Sequence, residues 1–270
     1  MPELPEVETI KNELLPHVVG RVITGVSLYW ERMLKQPSPA EFHQSVTGRK
    51  IVGLTRRGKY LVFQLDECGL LLAHLKMSGS LLVGLGEPPP YTRAVIHLDD
   101  GSAIFFRDPR KFGRLQLVEE NCEALCKLGP EPLSSEFSPE KLTNILSKRK
   151  APIKAVLLDQ CLIAGIGNMY ADEALFHSGI HPSMPANSLS ADEVGHLHRA
   201  IQEVLKAAIN SKGASINSYF RPDGQKGSAH SDFRVAHRGG KPCPVCGTTI
   251  KRLPIRQRSS YFCPKCQPEG

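Results

Sequence analysis

Between residues 3 and 16 the apolar positions fall at Val7, Ile10, Leu14 and Leu15, the spacing of one helix face. The period then changes. From Gly20 to Val118 the chain runs through short apolar segments at 21–28, 50–55, 60–65, 70–75, 80–84, 94–98, 102–107 and 114–118, punctuated by Gly, Asp or Pro. Their number and spacing predict a β-sandwich or barrel. Gly84-Leu85-Gly86-Glu87-Pro88-Pro89-Pro90 predicts a loop. After Gly129-Pro130-Glu131-Pro132 the period is helical again. Ser138-Pro139-Glu140 sets an N-cap, a first-turn proline and an acid in order. Helices are expected near 139–147, 152–159, 168–178 and 190–211. Residues 212–240, rich in Gly, Ser and basic side chains, have no period and read as a long loop region. No internal repeat is visible.

Composition narrows the class. A chain of 270 residues, 41% hydrophobic, has material for one large domain or two ordinary ones. A formal net charge of +7 leans toward an anionic partner. No apolar run approaches the roughly 20 residues of a membrane span. Glu3, Glu6 and Glu8 stand where a secretory signal needs basic and then apolar residues. The expected setting is therefore the cytosol, or wherever a nucleic-acid partner lies, with no membrane partner.

Eight cysteines in a cytoplasmic chain of this size argue against disulfides. Four of them form Cys243-Pro244-Val245-Cys246 and Cys263-Pro264-Lys265-Cys266, with sixteen residues between the pairs. Two intervening residues let a tight turn aim both thiolates at one metal, and two such turns make a tetrahedral zinc site. Four thiolates leave no open coordination position, so one structural Zn2+ is expected. Cys68, Cys122, Cys126 and Cys161 lack such spacing and read as buried or incidental thiols. Lys251, Arg252, Arg256 and Arg258 lie between the pairs, and a zinc-stiffened hairpin with guanidinium groups suits a phosphate backbone.

The N-terminus carries candidate chemistry. A Met before Pro is normally removed, which would leave Pro2 with a free secondary amine. Such an amine attacks a sugar aldehyde carbon and gives an iminium that stays cationic without a proton. An α-amino group has roughly two hundred-fold more free base near pH 7 than a lysine. Glu3 would be the adjacent proton donor.

Both ends and the middle together resemble the bacterial formamidopyrimidine-DNA glycosylase family over nearly the whole chain. The carriers are Pro2-Glu3-Leu4-Pro5-Glu6-Val7-Glu8-Thr9, Arg56-Arg57-Gly58-Lys59-Tyr60-Leu61, His74-Leu75-Lys76-Met77-Ser78-Gly79 and Asp108-Pro109-Arg110-Lys111-Phe112-Gly113. Leu128-Gly129-Pro130-Glu131-Pro132-Leu133, Gly165-Ile166-Gly167-Asn168-Met169-Tyr170 and Gln257-Arg258-Ser259-Ser260-Tyr261-Phe262-Cys263 complete the set. The resemblance implies an α+β multidomain fold. An N-terminal catalytic β-sandwich with a flanking helix would span 1–130. A helix-two-turn-helix DNA-binding domain with a lesion-recognition loop would span 131–235, and a zinc β-hairpin 236–270.

It also implies a reaction on damaged double-stranded DNA by a monomer: excision of oxidised purines, then strand cleavage by β,δ-elimination. Pro2 would attack C1′ and Glu3 would protonate the opening sugar ring. Lys59 would contact the phosphate and help proton transfer, and Arg258 would hold the flipped nucleotide's phosphate and assist δ-elimination. His74, Lys150 and Asn168 would contact the DNA backbone. Met77, Arg110 and Phe112 would fill the void left by the extruded base, although Met77 and Phe112 alone read as core residues. Gly165 and Gly167 suit a tight turn where N–H groups approach a phosphate.

Three places depart from the family pattern. Tyr91-Thr92-Arg93 stands where His-x-His is usual, and Tyr91 and Arg93 remain able to contact phosphate. Ala236-His237-Arg238-Gly239-Gly240 replaces Tyr-Gly-Arg-x-Gly. The 214–235 region, which helps read the flipped base in relatives, has Ala229-His230 for Phe-Gln. Two alternatives stand beside this reading. One is an endonuclease VIII-type enzyme acting on oxidised pyrimidines, against which Leu4 counts. The other is a non-catalytic zinc DNA-binding protein.

Overall fold

The computed structural model describes residues 1–67, 69–216 and 219–269, so Cys68 of the expected incidental thiols lies outside the described residues. The chain divides into two compact units: residues 1–126 with 211–230, and 127–210 with 231–270.

The first unit opens with α1 (Leu4–Val18). Pro5 sits in its first turn, where a missing N–H costs nothing. Eight strands follow: β1 (Ile23–Leu28), β2 (Ile51–Arg57), β3 (Tyr60–Leu65), β4 (Gly69–His74), β5 (Ser80–Gly84), β6 (Thr92–Leu98), β7 (Ala103–Arg107) and β8 (Arg114–Val118). They form two antiparallel four-stranded sheets, ordered β1-β6-β7-β5 and β2-β3-β4-β8. Inward residues Leu61, Phe63, Leu71, Ala73, Ile96, Ile104, Phe106 and Leu115 share one core with Val7, Ile10, Leu14 and Val18 of α1. The unbroken run Leu70-Leu71-Leu72 has a simple cause. Leu71 faces that core, while Leu70 and Leu72 join Val62 and Val118 on the outer face. The short α3 (Glu123–Cys126) covers that face with Ala124 and Leu125.

The pattern missed α2 (Pro39–Val46), a two-turn helix between β1 and β2. Its signal was a capping box. Ser38 accepts the Glu41 N–H, and the Glu41 carboxylate takes the Ser38 N–H at 3.0 Å.

The second unit holds α4 (Pro139–Leu146), α5 (Ile153–Leu157), α6 (Asn168–His177), α7 (Ala191–Asn210) and the hairpin β9 (Lys251–Ile255)–β10 (Arg258–Phe262). α7 packs on α4 and α6, and α6 also packs on β10. The fold is thus α+β: a β-sandwich with a flanking helix, a helical unit and a cysteine-bearing hairpin. No helix among the described residues is long and apolar enough to cross a membrane.

Candidate functional site

Pro2 and Glu3 are buried at the start of α1, and Met1 ahead of them is exposed. Glu3 is the N-cap, and its N–H donates to Glu6 Oε2 at 2.7 Å. Glu6, with no solvent exposure, spends Oε1 on the Ala214 N–H at 2.8 Å. One carboxylate therefore joins the Pro2–Glu3 turn to the root of the 211–230 segment. Glu6 was legible only as a helix residue, because its second partner is 208 positions away.

Lys59 lies in the two-residue turn of the β2–β3 hairpin, after Gly58 at φ 56°. It is 6% exposed, unlike the ordinary strand-start lysine its sequence context suggests. Arg56 ties that hairpin to the helix that carries Pro2. Its Nε donates to Glu8 at 2.7 Å and its Nη1 to the Gly58 carbonyl at 3.0 Å. Burial works against the Glu8 charge, but hydrogen bonds from Lys11 and Arg56 hold the carboxyl below its usual range.

His74 ends β4. Its Nδ1 accepts the Lys76 N–H at 3.0 Å, so the neutral ring carries its proton on Nε2 and offers a donor. Burial first, then the charges of Lys76 and Lys59, push its pKa down to about 3. Tyr60 packs edge-on against the ring at 4.6 Å between centroids.

Met77, Arg110 and Phe112 stand on two adjoining loops with Asp108 at their base. The Asp108 carboxylate is 1% exposed. It accepts the Ser78 hydroxyl, the Arg110 N–H at 3.2 Å and the Gly113 N–H at 2.7 Å. Ser78 Oγ also accepts the Arg110 N–H at 3.3 Å. One buried carboxylate thus couples the Met77 loop to the Arg110–Phe112 loop. Lys76 and Lys111 sit beside the three side chains at φ 52° and 59°, a strained region for residues with a Cβ. Met77 and Phe112 are 40% and 44% exposed, so they are not the core residues their apolar character alone suggested. The Arg110 guanidinium lies over the Phe112 ring at 4.9 Å. Arg93 Nε donates to the Asp108 carbonyl at 2.8 Å, which ties Tyr91–Arg93 to the same framework.

In the second unit, Lys150 is exposed just before α5. Asn168 is the first residue of α6, after a turn in which Gly165 takes φ 85°. Gln160 braces that turn: its Oε1 accepts the Gly165 N–H at 2.9 Å and its Nε2 donates to the Ile166 carbonyl at 2.8 Å. Asn168 Nδ2 is directed to the Ser259 carbonyl at 2.9 Å, so its amide group braces the residue next to Arg258. Lys154, also buried, donates to the same carbonyl at 2.9 Å and pairs with Asp172 at 2.6 Å. Burial raises the Asp172 pKa, and Lys154 opposes that rise. The Tyr261 N–H donates to Asp172 at 3.2 Å. β10 is therefore held by a buried ion pair that no spacing rule announces. Arg258 itself is exposed, after a turn in which Arg256 and Gln257 both take positive φ, 44° and 63°. A two-residue hairpin demands that geometry, normally from Asn or Gly.

The four sulfur atoms of Cys243, Cys246, Cys263 and Cys266 all lie within 4.8 Å of one another. Zinc–thiolate bonds of about 2.3 Å at tetrahedral angles put sulfurs about 3.8 Å apart, so the cluster fits the ion. The residues hold one structural zinc. Glu173, 2% exposed, fixes the approach to the cluster by accepting the N–H groups of Arg234, Val235 and Ala236. Of the other thiols, Cys122 is half-buried while Cys126 and Cys161 are exposed, and none joins a metal-binding group among the described residues.

Three family models match the chain: the formamidopyrimidine-DNA glycosylase N-terminal domain over residues 1–115, the H2TH domain of that enzyme over 128–219, and the zinc finger found in FPG and IleRS over 240–268. The chain is 47% identical to the formamidopyrimidine-DNA glycosylase of Chloroflexus aurantiacus, over 99% of this chain and 98% of that one. Its fold matches the crystal structure of the Thermus thermophilus MutM (Fpg) protein with a TM-score of 0.90 and 40% identity over the full length of both. It also matches a Lactococcus lactis Fpg variant in complex with Fapy-dG-containing DNA, with a TM-score of 0.92 and 33% identity over 99% of this chain and 100% of that one.

Proposed function

Because the chain belongs to the formamidopyrimidine-DNA glycosylase family, we propose that Pro2, freed by loss of Met1, is the nucleophile with which it excises oxidised purines. The chain is a DNA glycosylase of base excision repair with abasic-site lyase activity, acting on damaged DNA. We assign its preference to 8-oxoguanine opposite cytosine and to formamidopyrimidines. The Pro2 amine attacks C1′ while Glu3 protonates the opening sugar ring, the base leaves, and an iminium links Pro2 to the sugar. The iminium acidifies the C2′ hydrogens. Loss of one expels the 3′ phosphate, and a second elimination expels the 5′ phosphate. Lys59 serves the phosphate and the proton transfers, and Arg258 the flipped nucleotide's phosphate. His74, Tyr91, Arg93, Lys150 and Asn168 contact backbone. Met77, Arg110 and Phe112 fill the vacated stack, with the Arg110 fork facing the widowed cytosine. Zinc takes no part in these steps and shapes the hairpin.

The observation that carries the reading is the shared mounting of its reagents. Pro2 and Glu3 begin the helix whose Glu8 holds the Lys59 hairpin through Arg56. The expected species is a monomer acting in the cytoplasm at the nucleoid, with residues 1–130 catalytic, 131–235 DNA-binding and 236–270 the zinc module. Borohydride with an abasic duplex should trap an adduct that maps to Pro2, and Glu3→Gln should block base release while DNA binding survives. An adduct on a lysine with Pro2 intact overturns the assignment, and so does the absence of any adduct. A lesion panel in which oxidised pyrimidines are the better substrates would make it endonuclease VIII-like instead.

A further inference from the structure

Among its described residues, segment 211–230 has neither helix nor strand beyond the start of one short turn at Ala229–Asp232, yet it is fastened at several points within its unit. Its root is closed by the Ala214–Ser228 bridge and by Ser215 Oγ, which takes the Gly227 N–H at 2.9 Å and donates to the Tyr219 carbonyl at 3.0 Å. Its tip turns tightly, with Arg221 N–H to Gln225 O at 2.9 Å. Arg221 grips Glu13 of α1 through Nε and Nη2, at 2.8 to 3.1 Å. The Val83 N–H of β5 donates to the Pro222 carbonyl at 3.2 Å.

A further attachment is of another kind. The Arg107 guanidinium, at the end of β7, lies over the Phe220 ring at 5.3 Å and over the Tyr91 ring at 5.4 Å. Its Nε donates to the Pro90 carbonyl at 3.2 Å, which fixes the guanidinium beside both rings. A cation over an aromatic face is attracted by the ring quadrupole, and a guanidinium can stack on a ring with either of its flat sides. Tyr91 and the 214–235 region are two of the three places where this chain departs from its family's pattern. Here one arginine connects them.

We propose that Tyr91, Arg107 and Phe220 form a clasp that fixes residues 219–227 before DNA arrives and thereby determines which flipped base is accepted. The ligand class is an oxidised purine base, and in this respect the inference rests on the functional reading above. Arg107 and Phe220 are positioning residues. They act through the segment, whose counterpart in relatives helps read the flipped base. A segment held in one conformation presents its N–H and C=O groups without first being ordered, and a misplacement of about 1 Å in a positioning element can cost about a hundredfold in rate. Cleavage at a preformed abasic site has no base to read, so it is indifferent to the clasp.

The test has two arms on the full-length, zinc-loaded protein. In the first, amide hydrogen exchange is measured on the free protein. Phe220→Ala and Arg107→Lys should each raise exchange across 219–227 by about tenfold while β2, β3 and β4 stay unchanged. Phe220→Tyr, which keeps a ring, should restore protection. Unchanged exchange in Phe220→Ala overturns the clasp whatever the enzyme does. In the second arm, single-turnover release of 8-oxoguanine is compared with nicking of the same duplex carrying an abasic site. Phe220→Ala should slow base release about tenfold or more and leave nicking within about twofold. Equal losses in both assays, or none, overturn the specificity role. If the unmodified protein releases no base from any lesion duplex, the functional reading fails, and the exchange arm still decides the clasp.

Discussion

Single residues here do two jobs at once, and His74 shows how that becomes measurable. Its ring is kept neutral by burial and by the nearby charges of Lys76 and Lys59, and its pKa falls from 6.5 to about 3. A depressed folded-state pKa means that the unfolded chain takes up the proton first as pH falls. The contribution to stability is therefore complete above about pH 6.5 and lost as pH falls toward 3. At pH 5 the loss amounts to about 2 kcal/mol. His74→Gln should remove this dependence. Urea unfolding at pH 7.5 and pH 5 should show the parent losing more stability than the variant between the two, and equal losses would mean that another group titrates. In the proposed backbone contact, the same neutrality would leave His74 a hydrogen bond and no charge to offer phosphate, so that contact should not strengthen on mild acidification.

At the scale of elements, the eight strands and α1 were legible because each obeys one period, and the cysteine pairs were legible because metal geometry dictates spacing. What escaped the pattern is pairing between residues remote in sequence. Lys154 and Asp172 look like ordinary helix charges, yet both are fully buried and together brace Ser259 and Tyr261 of β10. Lys154→Met should cost about 3–5 kcal/mol by leaving the Asp172 charge buried with one partner fewer. Lys154→Met with Asp172→Leu should recover much of that stability while Arg258-dependent nicking stays impaired. Calorimetry and a nicking assay on the same samples separate the two effects, and recovery of both would make the pair a matter of stability alone. The zinc module gives the second element-scale expectation. Chelation should abolish DNA binding at concentrations where near-UV signals of the sandwich persist, because the thiolate cluster closes only its own hairpin. Loss of both together contradicts this. Met77 and Phe112 mark the opposite limit of legibility: by composition they belong in a core, and only the loop geometry around Asp108 accounts for their exposure.

For the whole molecule, a net charge of +7 and the phosphate contacts proposed above predict an affinity that falls steeply with salt. Lys150→Ala should lower the log–log slope by roughly 0.9 and weaken intact and lesion-bearing duplexes alike, with single-turnover chemistry at saturation nearly unchanged. Fluorescence titrations across a salt series check this, and an unaltered slope removes Lys150 from the phosphate contacts. The unit that carries Pro2 is also discontinuous in sequence, since residues 211–230 belong with 1–126. On the ribosome this sets a timetable. Glu6 leaves the exit tunnel 208 residues ahead of Ala214, which at about 5–20 residues per second is roughly 10–40 s. For the later part of that interval, once Val118 has emerged, the strands of the sandwich are all present but Glu6 Oε1 still lacks the Ala214 N–H, so the Pro2–Glu3 turn gains its tie to the 211–230 segment only when synthesis is almost finished.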